Sequence, residues 1–118
     1  MKRVDIITIK GKSIVVVDAS NMAGKDIVDL LAEAKKVIAS QGSKSALVIT
    51  EVTNAKYDKQ VAEAVKDYAS SNSPYIKASA VVGAEGIQLV LLQTAIFLTR
   101  REIKTFKARQ EAAIWLAS

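Results

Sequence analysis

The feature that most restricts the fold of this chain is an apolar run that must be buried. Residues 87–98, Ile-Gln-Leu-Val-Leu-Leu-Gln-Thr-Ala-Ile-Phe-Leu, hold only three polar side chains, Gln88, Gln93 and Thr94. As a helix the run is about 18 Å long, well short of the ~30 Å hydrocarbon core of a bilayer. At 100° per residue its polar positions fall on different sides, so the sequence predicts a buried helix that needs cover all round. A sheet, neighbouring helices and a second copy of the chain are the available covers. The run follows a short apolar strand, Ala78 to Val82, and a tight turn, Gly83-Ala84-Glu85-Gly86.

The rest of the chain supplies a sheet. Val4 to Ile9 and Ser13 to Asp18 are β-branched runs joined by Lys10-Gly11-Lys12, the pattern of an antiparallel hairpin. The second run is apolar on both faces, as in a strand covered on both sides. Asp18 to Gly24 reads as a loop; Ile27, Leu30, Leu31, Ala34, Val37 and Ile38 then mark one face of a helix that ends before Gly42. Ser45 to Thr50 is the next buried strand and Glu51 to Tyr57 a polar connection. Asp58 is placed to cap a helix with Val61, Val65, Tyr68 and Ala69 inward, which stops before Pro74. After the apolar run, Glu102 to Phe106 reads as a short strand. Arg109 to Ala117 forms a last helix with Ala112, Ala113, Trp115 and Leu116 inward and Trp115 as its anchor. The expectation is one α/β domain over residues 1–118: a mixed, mostly parallel sheet of about five strands, an antiparallel hairpin followed by β-α repeats, flanked by about four helices.

Composition narrows the chemistry. With 118 residues and half of them hydrophobic, one core fits without staples. The chain has neither cysteine nor histidine. Disulfides, thiolate nucleophiles, the usual zinc, copper and haem ligand sets, and Ser-His or Cys-His pairs are therefore excluded. No metal or cofactor is expected. The sequence after Met1 enters strand-like residues without an apolar signal region, and a cytoplasmic protein is expected. Net charge is +5, yet most basic residues alternate with acids, as on solvated helix faces. Arg100, Arg101, Lys104, Lys107 and Arg109 cluster, but the few aromatic residues form no stacking pattern, and nucleic-acid binding is not expected.

Several segments together resemble one family: Lys10-Gly11-Lys12, the strand ending Asp18-Ala19-Ser20, Val52 to Ala55, Ser73 to Ile87, and Phe106 to Leu116. They look like the bacterial STAS-like, or SpoIIAA-like, family of small stand-alone domains, over nearly the whole chain. The resemblance implies a mixed sheet flanked by helices and a non-enzymatic, regulatory role through contact with other proteins, as in anti-sigma-factor antagonists. Those antagonists carry an Asp-Ser-x-Gly-Leu segment whose serine, at a helix start, is phosphorylated to break partner binding. This chain has none. Ser20 and Thr53 are the nearest candidates for phosphate, both at strand-to-helix turns, against the simpler reading that each hydroxyl bonds its own turn.

In an open α/β sheet the loops leaving the carboxyl ends of parallel strands lie along one edge, where ligands and partners bind. Here that edge gathers Asp18, Ser20, Asn21, Glu51, Thr53, Asn54, Gly83, Glu85 and Gly86 as the candidate recognition surface. Such residues are also what turns are made of. Gly83-x-x-Gly86 lacks the further residues of a phosphate loop. Asp18, Glu51 and Glu85 are the carboxylates available for acid–base work, but their separation is not set by sequence, and catalysis is not expected. Two further expectations concern the apolar helix. A homodimer is expected to cover its outer side through Leu91, Ile96 and Phe97; the alternative role is a carrier of an apolar or lipid-like ligand bound beside that helix.

Overall fold

A computed structural model of the protein describes residues 3–90, 92–93 and 103–118. A single five-stranded sheet runs β1 (Val4–Ile9), β2 (Lys12–Asp18), β3 (Ala46–Glu51), β4 (Ile76–Val82) and β5 (Ile103–Phe106) in sequential order. The first pair is antiparallel and the other three are parallel. Lys10 and Gly11 both take positive φ, 51° and 77°, the twist that a two-residue hairpin needs. Helices α1 (Gly24–Ala39) and α2 (Lys59–Asn72) connect the parallel strands. A third helix, α3, occupies residues 87–90 and 92–93 among those described, and α4 (Arg109–Ala117) closes the chain.

Sequential strand order explains the layering. Right-handed crossovers that always step the same way along a sheet put their helices on the same face. Val15, Val17 and Val48 accordingly pack with Ile27, Leu30, Leu31, Ala34 and Ile38 of α1 and Val61 of α2. The alternate strand residues Ile14, Val16, Leu47, Ile49, Ala80 and Val82 pack on the opposite face against Ala112, Ala113 and Leu116 of α4, the one helix on that face among the described residues. Both faces are covered, which is why β2 and β3 read as continuous apolar runs. Asp58 caps α2 as its sequence position predicts, its Oδ1 accepting from the Val61 amide at 2.8 Å.

One expectation holds in part and one needs correction. Trp115 packs against the core with Ala112, Ala113 and Leu116 as expected, but is only partly buried; its ring lies 5.7 Å from that of Phe106 and under the Lys104 ammonium. Ala112 and Leu116, one turn apart, are the more deeply buried. The start of the apolar helix is also not buried all round: Ile87 is 50% exposed and Val90 56%. Gln88 and Leu92, four residues apart, face inward, while Leu89 and Val90 are exposed. Leu91, Ile96 and Phe97 of the expected dimer surface lie outside the described residues. No helix among the described residues is long and apolar enough to cross a membrane.

Candidate functional site

The carboxyl ends of β2, β3 and β4 share one edge, and their loops continue the sheet's hydrogen bonding past the strands. The Ala19 amide donates to Glu51 O at 2.9 Å, Asn21 to Thr53 O at 2.9 Å, Val52 to Val82 O at 2.9 Å and Gly83 to Phe106 O at 3.0 Å. The Lys56 amide donates to Met22 O at 2.9 Å. Asn21 and Asn54 stand at φ 60° and 56°, a left-handed geometry that asparagine tolerates better than most residues. Gly83, at φ 82°, lies against Thr53 so closely that a Cβ would collide with the threonine hydroxyl. Gln88 joins two loops: its Nε2 donates to Val52 O and Ala55 O, each at 3.0 Å, and its Oε1 accepts from the Glu85 amide at 3.0 Å.

The predicted carboxylates separate into two groups. Asp18 and Glu51 meet in an ion network organised by arginines. Arg109 forms a fork on Glu51, Nε to Oε1 at 2.9 Å and Nη2 to Oε2 at 2.6 Å, and Nη2 lies 3.8 Å from Asp18 Oδ2. Arg3 reaches Asp18 from the other side at 3.6 Å and donates to Ser20 O at 2.9 Å. The Ser20 hydroxyl and amide both donate to Asp18 Oδ1, at 2.5 and 3.0 Å. Burial pushes the Asp18 carboxyl up, but the two Ser20 hydrogen bonds, Arg3 and Arg109 outweigh it and hold the group below its ordinary 3.8. Hydrogen bonding to Glu51 raises Arg109 in turn, against the opposing effect of its own burial. Glu85 has no bond to either carboxylate among the described residues, and Asn21, Thr53, Asn54, Glu85 and Gly86 are exposed. Ser20 thus follows the turn-bonding reading, whereas Thr53 presents its hydroxyl beside Gly83.

Sequence reasoning placed Asp18, Ser20 and Glu51 on this edge but missed Arg3, Arg109 and Gln88. Arg109 was visible only as one member of a basic cluster. The available signal was its position at the first residue of the last helix, directly after the strand that ends beside Gly83. Gln88 was legible as a polar residue breaking an apolar helix near its start.

Beside this edge lies a cavity of about 130 Å³ between the sheet, α2 and α3. Val61, Val65 and Tyr68 of α2, Val81 and Ser79 of β4 and Leu92 of α3 form much of its wall. Thr50 and Tyr68 bring their hydroxyls within 3.3 Å of each other there. Loop residues Lys56, Tyr57 and Ala84 line it on the side of the loop edge. No group of three or more potential metal-binding His, Cys, Asp or Glu side chains occurs among the described residues.

No protein-family model matches the chain, and no curated protein matches it. Among solved structures it is similar to an uncharacterised protein of the DUF3478 family from Shewanella loihica PV-4, described as having a SpoIIAA-like fold. The TM-score is 0.74 at 15% sequence identity, over 96% of this chain and 91% of the other. The fold is thus SpoIIAA-like, a STAS-like α/β architecture, as the sequence resemblance implied.

Proposed function

We propose that this protein is a non-enzymatic, regulatory interaction module of the cytoplasm that binds another protein through the loops at the carboxyl ends of its parallel strands. The observation that carries this reading is the stiffness of the loop edge. Main-chain bonds from loop to loop, the Gln88 bridge and the Arg109–Glu51 fork hold Asn21, Thr53, Asn54 and Glu85 in one fixed, exposed array. A preorganised surface loses little conformational freedom on binding. The two buried-side carboxylates are already matched by arginines, which favours a structural role for them over acid–base chemistry. The test is capture of partners from the host lysate by the wild type and by Asn21→Gly and Asn54→Gly, which keep the left-handed backbone available. Loss of a captured protein with an unchanged thermal transition supports the edge. Capture that persists in the double variant refutes it.

The proposal includes a homodimer through the outer side of the 87–98 helix, favoured by the exposed apolar residues Ile87, Leu89 and Val90. Sedimentation of Ile87→Asp and Leu89→Asp against the wild type tests it; a wild-type monomer ends this part of the proposal.

A second reading is favoured by the cavity. An apolar hollow beside α3 is where a carrier of an apolar ligand would hold its cargo.

A further inference from the structure

Ser79 stands out on the floor of the cavity. It is 7% exposed as a residue, it lines the hollow, and its hydroxyl makes no hydrogen bond with another described residue. Asn72 Nδ2 is the one sealed and unpaired side-chain polar atom among the described residues, so the Ser79 hydroxyl is open to the hollow, where a hydrogen-bonding group of a bound molecule can reach it. A second hydroxyl lies close by. Ser79 is in register with Val48, and Thr50, two residues further along β3 on the same face, pairs with Tyr68 at 3.3 Å. The remaining inner wall, Val61, Val65, Val81 and Leu92, is hydrocarbon. Among the described residues lining the hollow Lys56 is the one that carries a charge, and it is exposed on the loop side.

Size sets the second limit. A buried apolar cavity of roughly 150 Å³ admits benzene, and sites for drug-sized ligands begin at about 300 Å³. A volume of about 130 Å³ matches a single ring or a short branched chain and is too small for a long acyl chain.

We propose that the cavity binds a small neutral molecule of about the size of phenol, with an apolar ring or short chain against the valines and one hydrogen-bonding group on Ser79. The inference rests on the carrier reading and narrows it from lipid-like cargo to a compact, neutral, singly polar one. An ionised ligand is disfavoured because no charged group among the described residues faces the inner wall to replace its lost hydration.

The experiment is a titration of the full chain with phenol and with toluene, which has similar shape and no hydroxyl, followed by amide chemical shifts. Saturable shifts centred on Thr50, Ser79 and Val81 are expected with both, phenol binding roughly tenfold more tightly. Ser79→Ala is expected to keep the folded spectrum and abolish that preference. Val65→Trp, which fills the hollow, is expected to abolish both; if it does not fold, Val81→Phe serves the same purpose from the strand side. Retained discrimination by Ser79→Ala overturns the assignment of the hydroxyl. Tighter binding of benzoate than of phenol overturns the neutral ligand. Saturable binding of dodecanol at these residues with none of phenol overturns the size limit while preserving the carrier reading. Absence of binding by phenol, toluene and dodecanol overturns both.

Discussion

The two faces of the sheet are built from the same strands and are covered in different ways. Toward α4, strands β3 and β4 present Leu47, Ile49, Ala80 and Val82, without a polar atom among their side chains. Toward α1, α2 and α3 the alternate positions are Val48, Thr50, Ser79 and Val81. α4 meets its face with Ala112, Ala113 and Ala117 beside Leu116, and small side chains let a helix sit close to a sheet. The other face is spanned by larger residues on separate helices, and the cavity opens where they diverge over β4. A face covered on both sides gains nothing from a hydroxyl unless the hydroxyl has a partner. Thr50 has found one in Tyr68, and the Ser79 hydroxyl opens on the cavity without a hydrogen bond to another described residue. The contrast teaches that one face is committed to stability, while the other gives up packing around a defined space.

The sharpest way to break that contrast is to shorten one residue on each face. Ile49 is fully buried beneath α4, and Ile49→Ala is expected to cost about 4 kcal/mol, through lost transfer energy and the hole left behind. Val81 already borders empty space, so Val81→Ala removes fewer contacts and is expected to cost about 1 kcal/mol. Urea unfolding of the two variants measures both. Equal losses mean that the faces are equally well packed and that the cavity has no energetic signature.

Next in size is the junction between loops. Gly83→Ala places a Cβ on the Thr53 side chain at a φ of 82°, which combines left-handed strain with a collision. A loss of about 3 kcal/mol is expected. Gly83→Ala combined with Thr53→Ser keeps the hydroxyl collision, whereas Thr53→Gly removes it. Recovery of about half the loss only in the latter pair identifies the contact, and no recovery assigns the cost to backbone strain alone.

What the sequence revealed follows the same division. Elements whose residues repeat at one period were legible almost to their ends. The double-faced strands of β2 and β3, the α1 stripe from Ile27 to Ile38 and the Asp58 cap all express local rules. The loop edge was legible as a place, because topology alone assigns loops to strand ends. Its wiring was not. Arg109 meets Glu51 across 58 positions and Arg3 meets Asp18 across 15, and no local pattern encodes pairs that only the closed sheet brings together. Trp115 was legible as a residue packed against the body, but not its depth, since its ring is only partly buried beside Phe106. The cavity left one trace in the sequence, a serine within the apolar strand Ile76–Val82.

A small effect is expected at that serine. Ser79→Ala removes a hydroxyl that lines the cavity without a hydrogen bond to another described residue, and the ligand-free protein should change in stability by no more than about 0.5 kcal/mol. The same change at Thr50, as Thr50→Val, deprives Tyr68 of a neighbour and should not stabilise. Thermal unfolding of both variants sharpens the comparison within one face. A larger loss on Ser79→Ala means that the hydroxyl is already satisfied in the free protein.

A comparably small effect belongs to the ion network, where salt and solvent weaken every pair. Arg109 is 44% exposed, so Arg109→Gln is expected to cost only about 0.5 kcal/mol at neutral pH and less in high salt. Its dependence on pH is more telling than its size. The folded-state pKa of Asp18 lies below the ordinary 3.8, with Arg109 as one of the groups that lower it against burial. The corresponding stabilisation is complete above about pH 5 and is lost as the pH falls through the depressed pKa, because the unfolded chain binds its proton first. Arg109→Gln has already lost its share, so its deficit relative to the wild type should shrink on acidification below about pH 4. Asp67, also held below its ordinary value by its hydrogen bond from Lys35, is common to both proteins and cancels in the difference. Urea midpoints from pH 3 to pH 7, taken as roughly one-unit steps on the ordinary carboxylate scale, test this. A deficit that stays constant across the series shows that Arg109 contributes through packing of its side chain and not through charge on the strand-end carboxylates.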